Sequence, residues 1–324
     1  MNQQYIDTHA HLNLSAFRED VDVVGRMCAD ESVAVINVGT KESTSAKAVE
    51  LAQQYAHCYA IVGLHPIQTL PGHHDEDEIG EGGTPLTPSL ENGFARSADQ
   101  KKLADTQDSK NTTRAGMEES NPKPFFSAGF TSKGEAFDSG FYRELAKHEK
   151  VVGIGECGFD FYHHNPATRD VQEEQFVAQV KLANELGLPL MIHTRSAPDG
   201  SADAYEDVYR VLKQHAKVPG NVHFYAGSWE QAKRFFDIGF TISFTGVITF
   251  AKDYAEVVRN APLDMIHAET DCPYVAPVPH RGKRCEPWMV KEVYKTIAEI
   301  RNEDEEKVRM QLMENACTFY GLNV

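Results

Sequence analysis

Near its start the chain reads YIDTHAHL, Tyr5 to Leu12, with His9 and His11 two residues apart behind Asp7. Alternate side chains of an extended strand share a face, so Asp7, His9 and His11 are expected to project together. Imidazole is a common ligand for zinc and similar ions, so that face is either washed by solvent or the start of a metal site. Other chemistry-bearing residues stand singly farther along: His65 in GLHP, Glu156 in GIGECGFD, His193 in IHTR, His223 in NVHFYAGS and Asp271 in ETDCPY. One histidine among 14 is more often a satisfied core residue than a ligand. Taken together, the residues have the donor count for two divalent ions, with one carboxylate bridging them, and Glu156 is the natural bridge. Two ions about 3.5–4 Å apart can produce hydroxide near neutral pH and steady both oxygens of an in-line displacement at phosphorus. Imidazole with carboxylate suits Zn, Mn, Ni or Co better than an all-oxygen Mg shell.

These residues need elements to carry them. Short runs rich in β-branched and apolar residues begin at Tyr5, Val33, Tyr59, Val151, Leu188, Asn221, Phe240 and Met265. Between them lie stretches such as Thr168 to Gly187, apolar every three or four positions and closed by a glycine stop. Eight strands alternating with helices predict a closed parallel (β/α)8 barrel of α/β class, one domain over residues 1–324. The candidate residues lie toward the C-terminal ends of different strands, apart from the first pair, and that rim is where such barrels collect catalytic groups.

Composition bounds the rest. The net charge of −16 argues against a protein that coats nucleic acid through a basic stripe. Six cysteines with no CxxC spacing read as free thiols of a reducing compartment. No run is long and apolar enough for a membrane span, and the first strand leaves no room for a leader, so a cytoplasmic protein without membrane contact is expected. No obligate protein partner is evident. From 68 to 140 the sequence is heavy in Gly, Pro, Ser, Asp and Glu, with 13 acidic and 7 basic residues, a net of −6 out of the total. The barrel remainder is therefore acidic too, at −10. An insertion of this composition after the third strand is expected to stay a loose loop.

The blocks DTHAHL, GLHP, GIGECGFDFY, IHTR, HFYAGS and ETDCPYVAPVPHRGKRCEP resemble, in order and spacing, the signature blocks of the TatD family of metal-dependent deoxyribonucleases, within the amidohydrolase-like barrels. The resemblance implies that His9, His11, Glu156 and Asp271 hold one metal while Glu156, His193 and His223 hold the other, the ions being Mg, Mn or Zn. It places His65 in the same cleft as a phosphate-facing or ligand-supporting group, and gives Asp271 a second role as general base. Arg281, Lys283 and Arg284, a compact basic cluster after the last rim strand, would meet substrate phosphates. The chain departs from the family at Cys157, Cys285 and Phe224-Tyr225-Ala226, which bears on substrate preference. The expected activity is hydrolysis of DNA, as a 3'-5' exonuclease on single-stranded ends. The rival is an amidohydrolase-type C–N or ester hydrolase, such as a D-aminoacyl-tRNA deacylase. Glu156, where the C–N branch carries a carboxylated lysine, together with the RGKR cluster, favours phosphate.

Overall fold

The structure, a computed structural model, describes residues 3–74 and 130–323. Its strands are β1 (Tyr5–Ala10), β2 (Val33–Val38), β3 (Cys58–Val62), β4 (Pro71–His74), β5 (Phe130–Lys133), β6 (Val151–Asp160), β7 (Leu190–Arg195), β8 (Gly220–Val222), β9 (Thr241–Phe244) and β10 (Ile266–Ala268). Eight of them pair in parallel in the order β1-β2-β3-β6-β7-β8-β9-β10, as the alternation of strand and helix signals implies. The helix Arg169–Leu186 fills the interval expected of it, and Gly187 ends it at φ 68, where a side chain would be strained.

The barrel closes between β10 and β1 through few but specific contacts. At the rim, Ala10 bridges Cys272, Asp271 N–H donates to His9 O at 2.9 Å and His11 N–H donates to Cys272 O at 3.0 Å. Lower down, the Tyr294 hydroxyl accepts from Ile6 N–H at 3.2 Å and donates to Ile6 O at 3.1 Å. The seam is thus tied at the residues that carry the site.

Apolar residues divide by face. Ile6, Ala34, Ile36, Ile61, Val152 and Met191 fill the barrel interior, where Ala316 and Tyr320 of the C-terminal helix Glu305–Tyr320 plug the base. Val33, Val35, Ala60 and Val62 of the same strands pack outward against the helices. Burial of both faces explains why these strands read as continuous apolar runs.

The interval from 68 to 140 is more ordered at its borders than its composition suggests. Pro66–Thr69 forms a tight 3-10 turn, β4 pairs antiparallel with β5, and the helix Ser139–Leu145 starts on an Asp138 cap that accepts from Gly140 N–H and Phe141 N–H. Main-chain pairing and a helix cap need little apolar material, so a composition argument passes over them. The expected loose loop between these borders lies, over 75–129, outside the described residues.

Candidate active site

A break in strand alternation aims the first histidine pair. Asp7 is in register with Val35, and Ala10 with Asn37, so β1 carries one residue more than β2 in that interval. The bulge reverses the parity: Ile6 faces the interior, Ala10 packs against the outer layer, and His9 and His11 turn inward. Asp7, expected on the histidine face, lies instead on the helix-covered face with Val35. A period-two reading has no term for an inserted residue. β6 is bulged likewise between Ile154 and Cys157. It presses so closely on β7 that a Cβ on Gly155 would lie 2.4 Å from Met191 O and one on Gly158 2.0 Å from His193 O. Both glycines have positive φ, 149 and 146, so only GECG lets Glu156 stand this close beside His193.

Glu156 is the centre of the site. Its Oε1 lies 2.7 Å from His223 Nε2, 2.8 Å from His193 Nδ1 and 3.3 Å from His65 Nε2. Its Oε2 lies 3.3 Å from His9 Nε2 and 3.9 Å from His11 Nε2, and Asp271 Oδ1 is 3.4 Å from His11 Nε2 and 3.7 Å from His9 Nε2. The carboxylate therefore turns one oxygen to each of two donor sets. His65 stands among the donors of the Oε1 set, as near to it as His9 is to Oε2. His9 Nε2 and His11 Nε2 are only 3.0 Å apart, and the His9 and His223 rings stack at 4.0 Å. Two neutral imidazoles whose nitrogens face each other can place at most one proton between them. A shared cation satisfies both, so this donor set fits divalent metal. His9, His11 and Glu156 form one such group, and His65, Glu156 and His193 another.

The electrostatics agree with that fit. Burial opposes ionisation of Glu156, yet His223, His65, His9 and His193 hold its carboxyl well below the usual carboxylate range. Burial likewise works against the imidazolium at His223, but Glu156 and Glu269 outweigh it and raise its pKa well above the ordinary value. Asp160 with Glu156 also outweighs burial at His193, and Asp271 with Glu156 at His11, raising both. Burial wins at His9 and at His65, whose pKa is pushed down to about 4. Asp271 is depressed despite burial by His11, His9 and His223. The cluster thus attracts positive charge, as protons or as a bound cation.

Two supporting groups, Asp160 and Glu269, escaped the sequence reading, and a third, Asp7, was read only as a companion of the histidine pair. Asp160, in GFDFY, is fully buried; its Oδ2 accepts from His193 Nε2 at 3.0 Å and His163 Nδ1 at 2.8 Å. Glu269 of ETD accepts from Phe224 N–H at 2.6 Å and lies 3.6 Å from His223 Nδ1. Asp7 accepts from Thr270 N–H and Oγ1 at 2.9 and 2.5 Å and from His9 N–H at 3.2 Å, tying the residue just before Asp271 to β1. Carboxylates behind imidazoles fix ring orientation and tautomer. The available signal was that all three are acids inside the motif blocks themselves.

The cluster forms the floor of a cleft of about 830 Å3. Arg195, stacked 4.4 Å over the Tyr162 ring, is the guanidinium in its wall among the described residues. Arg281, Lys283 and Arg284 do not line it. Arg284 is committed elsewhere: it makes a bidentate pair with Asp20 at 3.0 and 2.7 Å, donates to Ala16 O at 2.6 Å and Glu286 Oε1 at 3.0 Å, and covers the Phe17 ring. Two carboxylates and a carbonyl fill the fork that the sequence suggested for phosphate.

A parallel eight-stranded barrel with five imidazoles converging on one buried carboxylate at its rim is the architecture of a metal-dependent hydrolase. The family model described as TatD related DNase matches residues 6–321, and the chain belongs to that family. The metal-dependent hydrolase YabD of Bacillus subtilis (strain 168) is 32% identical over 322 residues, covering 98% of this chain and 99% of that one. The 3'-5' ssDNA/RNA exonuclease TatD of Klebsiella pneumoniae (strain 342) is 32% identical over 189 residues, covering 56% of this chain and 69% of that protein. Among solved structures, YJJV, a TatD homolog from Escherichia coli k12, shares the fold with a TM-score of 0.70 at 23% identity over 100% of both chains. The chain is accordingly a metal-dependent hydrolase of the TatD family.

Proposed function

We propose that the protein hydrolyses phosphodiester bonds of nucleic acid, removing nucleotides from 3' ends of single-stranded DNA. The observation that carries this reading is Glu156, whose two oxygens face separate imidazole sets on the floor of an open cleft. The name of the Klebsiella relative supports it. In this reading His9, His11, Glu156 and Asp271 hold one divalent ion, and Glu156, His193 and His223 hold the other, with His65 beside them. Such ions, when bound, supply acidified water and neutralise phosphate charge. The protein's own groups do the remainder. Asp271, 13% exposed and held ionised, takes the proton of the attacking water as general base. Arg195 in the wall orients the phosphate, its guanidinium supported over the Tyr162 ring. Asp160 and Glu269 hold the His193 and His223 rings in position.

Metal-stripped protein, offered labelled single-stranded DNA, double-stranded DNA, RNA and a D-aminoacyl-tRNA with Mg, Mn or Zn restored in turn, tests the reading. Stepwise loss of nucleotides from the 3' end of single-stranded DNA, abolished by Glu156→Gln, is expected. Release of D-amino acid from tRNA with DNA untouched would transfer the reading to the ester-hydrolase alternative.

A further inference from the structure

We infer that Phe250 and Arg281 form a nucleobase-stacking subsite beside the cleft, which takes one base and the adjoining phosphate of a single strand whose end occupies the site. The inference rests on the nucleic-acid reading above. Phe250 ends the short turn Gly246–Thr249 after β9 and is 42% exposed, the one aromatic among the strongly exposed large apolar side chains of the described residues. Water-facing aromatic surface at a loop tip forgoes burial without gain to the fold. The ring is not left to wander: the Arg281 guanidinium lies 4.1 Å over it, and Arg281 Nη1 is anchored on Ala276 O at 3.1 Å. The two loops are joined where Val278 N–H donates to Thr249 Oγ1 at 2.9 Å.

Position and charge both suit a strand leaving the cleft. The loop after β9 also supplies Asp253 and Tyr254 to the cleft wall, and the loop after β10 supplies Tyr274 and Val275. Phe250 and Arg281 are thus carried by the same two loops that supply this side of the cleft wall, three residues before Asp253 and six after Val275. Arg284 is spent on Asp20 and Glu286, but among the described residues neither Arg281 nor Lys283 has a carboxylate at ion-pair distance. A guanidinium held over an aromatic ring offers its planar face and its charge together. Every base has a face to stack on it, so such a site is tolerant of sequence. In a chain of net charge −16, a local cation and ring also give a polyanion a foothold that the overall field denies it.

The test uses the full-length protein, wild type, Phe250→Ala, Phe250→Trp and Arg281→Gln, with oligothymidylates two to ten residues long. Binding is read by fluorescence anisotropy and hydrolysis by product release. In wild type, affinity should step up once the strand is long enough to reach the platform. Phe250→Ala should shrink that step about tenfold, the worth of one stacked base, and Phe250→Trp should restore it. Arg281→Gln should shrink the step and lower the salt slope of binding by roughly 0.7. A single abasic residue walked along the strand should weaken wild-type binding at one position and Phe250→Ala binding at none there. An unchanged length step or an unshifted abasic profile in Phe250→Ala overturns the subsite, whether or not DNA is hydrolysed. Binding that depends on Phe250 without any hydrolysis supports the subsite and sinks the nuclease reading instead.

Discussion

Replacing Asp160 by asparagine should weaken metal binding far more than it weakens the fold. The native carboxylate accepts four hydrogen bonds: His193 Nε2 and His163 Nδ1 on Oδ2, and Tyr162 N–H and His163 N–H at 2.9 and 2.8 Å on Oδ1. Asparagine keeps an oxygen for the two amides, but it turns a donor toward two ring nitrogens that are themselves donors. His193 then loses the acceptor that holds its Nε2–H and, with it, the tautomer that leaves Nδ1 bare toward Glu156. A hydrogen bond to a charged acceptor contributes about 1.5–3 kcal/mol, which corresponds to roughly 10–150-fold. Loss of a carboxylate behind a ligating histidine costs roughly 10–100-fold in metal affinity by independent experience. The expected deficit is therefore about 10–100-fold. Asp160 also raises the proton affinity of His193, so protons compete less in the variant; the deficit should be largest above neutral pH and shrink on acidification. Titration of Mn and Zn into metal-stripped protein against a chromophoric chelator, at pH 6.5 and pH 8, measures this, with thermal melting of the same samples as control. Turnover should largely recover at saturating metal. Unchanged affinity at pH 8 would refute the role given to Asp160. A lowered melting temperature with affinity intact would confine it to shaping the turn after β6.

Arg284→Ala should lower stability by about 1 kcal/mol, since it removes the cation shared by Asp20, itself 40% exposed, and Glu286, while leaving KM for nucleic acid unchanged; a raised KM at native stability would return Arg284 to the substrate. Metal binding should release protons at neutral pH, because His193 and His223 hold theirs above the ordinary imidazole range until metal displaces them. Calorimetry in buffers of differing ionisation enthalpy should detect the release, and identical heats would contradict it. His267 is buried against Phe319 and Tyr320, and burial pushes its pKa down from 6.5 to about 3. The unfolded chain takes up that proton first, so the contribution is intact above 6.5 and is lost as pH falls toward 3, at about 1.4 kcal/mol per unit. His267→Gln should flatten the stability profile between pH 6.5 and 5; an unaltered slope would assign the acid sensitivity to other groups.

The barrel was legible because its signals are local. Runs such as VAVINV and LPLMIH alternate with helical stretches ended by residues such as Gly187, and each such element is specified within its own few residues. The residues that meet at the rim were legible too, since the ends of parallel strands must converge there whatever the details of packing. The facing of Asp7 was not. A bulge is set by how β1 registers on β2, and a single inserted residue reverses every later side chain.

What the sequence determined by itself was therefore the barrel, the family and the set of donors brought to one rim, because strand order and strand ends follow from chain-local pattern. Only the tertiary structure decided how those donors divide. Glu156 gives Oε1 to His65, His193 and His223 and Oε2 to the His9 and His11 side, and Asp160 and Glu269 stand behind the rings. Arg281 lies over Phe250 while Arg284, three residues later, is drawn to Asp20 on a segment 264 residues away in sequence. Side-chain partners at such separations depend on distances of a few tenths of an ångström between elements, and one-dimensional spacing carries no record of them.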